Sequence, residues 1–339
     1  MPTGLLFAQL VAGKSQPDRI DFGRVRIDAV VEGSILVFTD ADESTELACD
    51  VQAPPFVKIT SVQRGIATDR RGATKSTFYV YVAVNTQRIG EYEGAIAIDV
   101  GSQKTTIPAK VSILASDATA TRVLIVSTPF NCSSAGESTA LDPWLRLVEA
   151  AKLDPHYLEV VRNQPLLREL DLSRYDVILL GEYGLLRLLD ADLAKLKRFV
   201  NNGGRLLICA NHFFRGTVDM ANRLLNSAGL RMTDTEPDVN NNSFALSGND
   251  IVESPLTKSV RTMKFIRPSP IAVTDKSKGK ILVHAPPYPG EGFLAAGQDG
   301  TGQIFVLGQS LWWSWIGEAR YNKSDNRQLL LNLVTKASK

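Results

Sequence analysis

The chain has 339 residues, of which 44% are hydrophobic and 22% charged, and 38 Lys and Arg stand against 36 Asp and Glu for a net charge of +2. That length suits two or three domains, and that composition excludes a disordered chain, a collagen-like fibre and a multi-span membrane protein. A near-neutral chain has no general electrostatic pull on polyanions, so no nucleic-acid partner is expected. The first apolar run is residues 4–13 (GLLFAQLVAG). It is much shorter than the roughly 20 residues that span a bilayer, and no Lys or Arg precedes it. Residues 1–18 are therefore read either as part of a leader or as an N-terminal extension. No other stretch is apolar enough to form an integral membrane segment.

From residue 19 to 115 the pattern is that of strands. Residues 34–39 (SILVFT), 57–62 (VKITSV), 77–84 (TFYVYVAV), 95–100 (AIAIDV) and 106–114 (TIPAKVSIL) are short, apolar or alternating. Turn residues separate them: Asp40 to Asp42, Pro54-Pro55, Arg71-Gly72, Gly90 and Gly101. Short strands at this spacing, with no helical period between them, predict an all-β immunoglobulin-like sandwich over 19–115. Phe22 and Tyr92 are expected in its core. Asp21, Glu91 and Glu93 are expected on a solvated strand face, and Cys49, which has no local cysteine partner, as a small buried hydrophobe.

The segments Ile20-Asp21-Phe22-Gly23-Arg24-Val25, Gly90-Glu91-Tyr92-Glu93-Gly94-Ala95-Ile96 and Ile107-Pro108-Ala109-Lys110-Val111 resemble the Hydin-like branch of immunoglobulin-type domains. That resemblance implies a bacterial surface or periplasmic setting, and so a periplasmic or extracellular location ahead of a cytoplasmic one. It implies no chemistry.

Residues 116–121 (SDATAT) are small and polar and read as a linker. The period then changes over 122–339. Residues 122–127, 175–181, 205–210, 280–284 and 303–307 read as buried strands, and 157–161 as a further one. Residues 141–153, 190–201, 217–229 and 327–336 read as helices. In 190–201, Leu193, Leu196, Phe199 and Val200 make one apolar stripe, and Gly203-Gly204 ends it. Apolar strands alternating with helices predict a doubly wound, flavodoxin-like α/β domain, whose ligands belong at the carboxyl ends of the strands.

The order of Tyr175-Asp176-Val177-Ile178-Leu179-Leu180-Gly181, the helix ending in Asn201-Asn202-Gly203-Gly204-Arg205, Ala221-Asn222-Arg223-Leu224-Leu225 and Gly302-Gln303-Ile304-Phe305-Val306-Leu307-Gly308 resembles the class I glutamine amidotransferase-like fold. It is most similar to the non-catalytic branch of gliding-motility and intraflagellar-transport proteins, the GIFT domain. The catalytic members use a cysteine on a glycine-flanked elbow, with a later histidine and carboxylate. Here Cys209 stands near the nucleophile position, but Leu207 and Asn211 replace the glycines. No histidine follows in 307–318, and Pro286 follows His284 where a carboxylate belongs. The resemblance therefore implies no catalytic triad.

Weak catalytic candidates remain. Glu182 and His212 end two strands at the same expected edge, with Cys209 between them in sequence. Cys132 reads as a loop thiol and His156 as a solvated side chain. The three cysteines and three histidines show no metal-ligand spacing, and no nucleotide fingerprint occurs, so no metal and no cofactor are expected. Trp312, Trp313 and Trp315 crowd one loop after the last strand. Together with Asn211 and Gln309 they are the expected ligand contacts. The function expected is that of a non-catalytic, two-domain binding protein for a protein or carbohydrate ligand. The alternatives are a hydrolase of an amide or carbohydrate, and a purely structural envelope scaffold.

Overall fold

The structure is a computed structural model that describes residues 15–16, 19–68, 74–126, 152–159, 161, 164–167, 170–211, 216–235, 243–309 and 324–335. In chain order its elements are strands Ser15–Gln16 (β1), Ile20–Arg26 (β2), Glu32–Asp42 (β3), Cys49–Gln52 (β4), Val57–Thr68 (β5), Thr74–Val84 (β6), Gly90–Val100 (β7), Gln103–Leu114 (β8), Thr121–Val126 (β9), Leu153–Leu158 (β10) and Val177–Leu180 (β11). Helices Glu182–Leu185 (α1) and Asp190–Asn201 (α2) follow, then Arg205–Cys209 (β12) and Thr217–Leu225 (α3). The rest is Leu230–Met232 (β13), Ser243–Ser247 (β14), Thr262–Ile266 (β15), Ile271–Val273 (β16), Gly279–His284 (β17), Gly292–Asp299 (β18), Gly302–Leu307 (β19) and Asn326–Val334 (α4). Two compact units divide these residues: one takes in those up to 118 together with 154–159, the other those of 119–126, 152–153 and 161 onward.

The first unit contains two four-stranded sheets, ordered β1-β3-β6-β5 and β2-β8-β7-β4. Their pairings are antiparallel except β2 with β8, which is parallel. Strand alternation works here as expected: β8 buries Ile107, Ala109, Val111 and Ile113, while Thr106, Pro108 and Lys110 lie exposed. Phe22 is fully buried, whereas Tyr92 is half-buried against Phe56, with its hydroxyl donating to the Arg88 carbonyl at 3.1 Å. Asp21 pairs with Lys110 at 2.8 Å.

Residues 154–159 are stitched to the start of β3. The Tyr157 N–H donates to the Val30 carbonyl at 2.8 Å, and the Glu159 N–H to a Glu32 carboxylate oxygen at 3.1 Å. The Val30 N–H donates to Nδ1 of His156 at 3.0 Å. His156 is thus a buried strand residue, not the solvated loop side chain expected from the sequence, because its ring nitrogen supplies an acceptor that a buried N–H requires.

In the second unit, β9, β11, β12 and β19 lie side by side and parallel. Val177 stands opposite Val123 and Arg205, and Arg205 opposite Gln303. The side chains of Val177 to Leu180 and Leu206 to Cys209 are at most 2% exposed. Burying each aliphatic chain of this kind contributes about 1.5–3 kcal/mol. Helix α2 has the bounds the sequence predicts. It buries Leu193, Leu196, Phe199 and Val200, and its end is closed by Gly203 N–H to the Val200 carbonyl (2.9 Å) and Gly204 N–H to the Phe199 carbonyl (3.0 Å). Helix α3 continues as a 3-10 turn over Asn226–Ala228 and stops at Gly229, whose φ is 69°. The helix expected over 141–153 lies outside the described residues up to 151, and Leu153 opens β10.

The expected fold class needs correction. Strand makes up 49% of the structure and helix 18%. Between β12 and β19 a doubly wound domain would return through helices. This chain instead has one helix there, α3, and then runs through six strands, β13 to β18. The sheet beyond β19 is antiparallel, through β18 to β16 and β13, with β17 also on β18, and β14 and β15 form a separate pair. The domain is therefore not a flavodoxin-like α/β domain of the amidotransferase type. The chain is β-rich, and its strand arrangement does not confirm the immunoglobulin-like assignment of the first unit. The physical reason is how residues 230–299 pair. Residues 230–299 offer short alternating segments broken by Gly, Pro and Asp, which suit hairpins and not crossover helices. No helix among the described residues is long and apolar enough to cross a membrane.

Gly302 is a tight joint of this sheet. A Cβ there would run into the carbonyl oxygens of Val200 and Gly204, both backbone. Gly302→Ala is expected to lower stability by about 2–3 kcal/mol, read as a lower urea midpoint with an unchanged slope.

Candidate functional site

Parallel strands in register end together, so β11, β12 and β19 deliver Glu182, Asn211 and Gln309 to one edge of the sheet. Backbone bonds continue past the strands: Gly181 N–H reaches the Val126 carbonyl, and Ala210 N–H the Leu307 carbonyl, each at 3.1 Å. The sequence reading thus places these residues together, and the structure brings Glu182 close enough to Cys209 to act on it electrostatically.

The groups at this edge are hidden. Cys209 is 0% exposed, Glu182 3%, Asn211 4% and Gln309 6%. Burial raises the Cys209 thiol well above its ordinary value, and the Glu182 charge adds to the rise. A nucleophilic thiol needs the opposite setting. Gln309 uses its side-chain carbonyl to accept the Ile266 N–H at 2.7 Å, and Asn211 donates from its amide to the Arg267 carbonyl at 3.5 Å. Thr217, also buried, donates its hydroxyl to the Asn211 carbonyl at 2.7 Å. These polar groups serve the chain's own backbone where it passes from β15 toward β16. His212, Cys132, Trp312, Trp313 and Trp315 lie outside the described residues. His284 is exposed on β17. Among the described residues, no three or more His, Cys, Asp or Glu are grouped to hold a metal ion.

The open space lies at the opposite edge, where the same strands begin. A cavity of about 690 Å³ is bounded by the 3-10 turn Leu172–Arg174 and the residues leading into β11, the end of α2, and the β18–β19 turn. Its charged side chains are Asp171, Asp176, Lys195, Arg198 and Arg205. Asp171 caps the 3-10 turn, accepting the Ser173 N–H at 3.0 Å and hydroxyl at 2.7 Å, and these bonds lower its carboxyl below the ordinary value. Asp176 accepts the Arg122 N–H at 3.1 Å. Arg205 donates to the Leu333 and Thr335 carbonyls at 3.0 and 2.8 Å and lies 5.2 Å from the centre of the Phe305 ring. Partial burial lowers its guanidinium somewhat, against the pull of Asp176. Arg198 is exposed on the last turn of α2. Sequence reasoning missed this cavity. Its one visible signal, Gly203-Gly204 followed by Arg205, is read from the sequence only as a helix end and a strand start.

No family model matches the chain, and no curated protein matches it. Among solved structures, it is similar to the VesB protease of Vibrio cholerae at 13% identity, over 30% of this chain and 31% of that one, with a TM-score of 0.18. A family 123 glycoside hydrolase from Clostridium perfringens is 10% identical over 57% and 33%, with a TM-score of 0.22. The endo-fucoidan hydrolase MfFcnA4, of glycoside hydrolase family 107, is 9% identical over 32% and 16%, with a TM-score of 0.17. The chain thus spans a third or less of the length of these structures, and likeness at this level sets neither fold nor activity. The Hydin-like and GIFT-type resemblances are not met: no family model matches, and the strand-rich second unit departs from the amidotransferase pattern.

The buried thiol has a consequence for stability. A folded-state value raised above the unfolded one favours the fold below the unfolded value and is lost as pH rises past it. Stability of the wild-type chain is expected to fall above pH of about 8.5–9, by up to about 1.4 kcal/mol per pH unit more than in Cys209→Ala. Urea midpoints of the two proteins from pH 7 to 10 measure the difference.

Proposed function

We propose that the chain is a non-catalytic binding protein, with recognition at an edge of the second unit's sheet. The observation that carries this reading is the state of Cys209. The thiol of Cys209, the last residue of β12, is fully buried, near a buried carboxylate, and its burial favours the protonated form. Glu182 raises that thiol further, the opposite of the shift an activated nucleophile needs. Asn211 and Gln309, which a hydrolase would turn toward substrate, are committed to the backbone of residues 266–267.

The other half of the argument is the cavity at the amino edge. At about 690 Å³ it falls within the size range of small-molecule sites. Its walls belong to the end of α2, the strand starts and the capped 3-10 turn, and a site built on regular elements lowers the ordering cost of binding.

The test is a hydrolysis screen. Chromogenic peptide amides and aryl glycosides are offered to the wild type, Cys209→Ser and Glu182→Gln. No turnover above buffer is expected from any of the three. Turnover by the wild type that drops at least tenfold in either variant overturns the non-catalytic reading in favour of a hydrolase.

A further inference from the structure

The first unit takes in one segment from late in the chain, residues 154–159. Its attachment to the start of β3 runs through a ring that can change its charge. The Val30 N–H donates to Nδ1 of His156 at 3.0 Å, so Nδ1 carries no proton there and the neutral ring holds its proton on Nε2. A second proton turns Nδ1 into a donor. It then meets the Val30 N–H donor to donor, and the bond is lost. An imidazole ordinarily takes up that proton near pH of about 6.5.

The charged ring has a place to go. Nε2 lies 3.8 Å from an Asp154 carboxylate oxygen, too far for a hydrogen bond, and both side chains are buried. An imidazolium is drawn to that carboxylate and away from Val30. Two further carboxyl groups belong to the same junction: Glu159, buried on the segment itself, and Glu32 on β3, which accepts the Glu159 N–H at 3.1 Å. The charged side chains of the turn before Val30 are engaged elsewhere. Asp28 accepts from Gln87 at 3.0 Å, and Arg26 donates to the Ala115 carbonyl at 2.8 Å. On β2, Asp21 is paired with Lys110 and lies close enough to Tyr157 to act on it.

Val30 also carries the next stitch, since its carbonyl accepts the Tyr157 N–H at 2.8 Å. Losing the bond to His156 therefore loosens the residue that holds the middle of the segment. Tyr157 is itself fully buried, and its hydroxyl makes no hydrogen bond among the described residues, which weakens the segment's hold.

We propose that residues 154–159 form a pH-sensitive clasp on the first unit, closed while His156 is neutral and released from β3 when its ring is protonated. The closed form needs the neutral ring, so its stability is present above pH of about 6.5 and is lost as pH falls below it.

Amide exchange of the full chain from pH 8 to 5 tests this, read by mass spectrometry on peptides covering 27–33, 153–159 and 103–114 and corrected for the intrinsic effect of pH. In the wild type, protection of the first two is expected to hold above pH of about 7 and to drop about 10- to 30-fold by pH 5. The third, in β8, keeps its protection. His156→Asn offers the Val30 N–H an amide carbonyl that does not titrate, and its profile is flat. Glu32→Gln keeps the step, because a carboxyl ordinarily titrates near pH of about 4.3. Nitrogen-15 spectra of the histidine rings read the same event in the wild type alone: the Nε2-protonated ring gains its second proton as protection falls. Flat protection down to pH 5, a step that survives in His156→Asn or vanishes in Glu32→Gln, or a parallel drop in β8 overturns the clasp. So does a ring that gains its proton with no loss of protection.

Discussion

Strands β11, β12 and β19 lie parallel at the centre of the second unit, and the side chains of β11 and most of β12 are buried on both faces. A strand hidden on both faces has no water to fall back on, so every backbone group must find a partner in the ladder or just beyond it. Register then fixes where each strand begins and ends, to the residue. Val177, Arg205 and Gln303 stand abreast at one edge, and Leu180, Ile208 and Val306 abreast near the other.

The edges part company in how they are closed. At the carboxyl edge, the chain passing from Ile266 to Ser269 lies against the strand ends and needs hydrogen-bond partners there. Gln309 and Asn211 supply them, and the Ser269 N–H bonds to the Gly308 carbonyl at 2.7 Å. Space between these elements is so small that a Cβ on Gly308 would overlap the Ser269 carbonyl. A thiol and a carboxylate enclosed this way lose their water, which favours the neutral thiol. At the amino edge, α2 stops three residues short of β12, at Asn202 and a glycine pair, and the β18–β19 turn is tied to its end, the Thr301 hydroxyl donating to the Asn201 carbonyl at 2.8 Å. The gap is polar and open, with Arg205 partly buried in its wall.

The first unit shows the same principle in a different setting. Its strands are buried on alternating positions, and its one unusual buried histidine is there for a backbone reason. Val30 carries an N–H that no strand partner meets, and His156 meets it. Reading the histidines for acid–base chemistry alone gives no hint of this, because the partner lies more than a hundred residues away in sequence.

Residue pattern alone was enough for the central elements. The stripe of α2, the apolar runs of β9, β11, β12 and β19, and the alternation of β8 are each local, and burial on one or both faces writes itself directly into the order of residues. So is the mismatch of Cys209 with a nucleophile elbow, since Leu207 and Asn211 are plain to see. The fold class was not local. Whether residues 230–299 return as helices or as hairpins depends on which segments pair, and short strands such as β13 and β16 carry too few residues to declare a period. The cavity was beyond the sequence for the same reason. It is made where a helix end, a 3-10 turn and a hairpin turn from distant parts of the chain face one another.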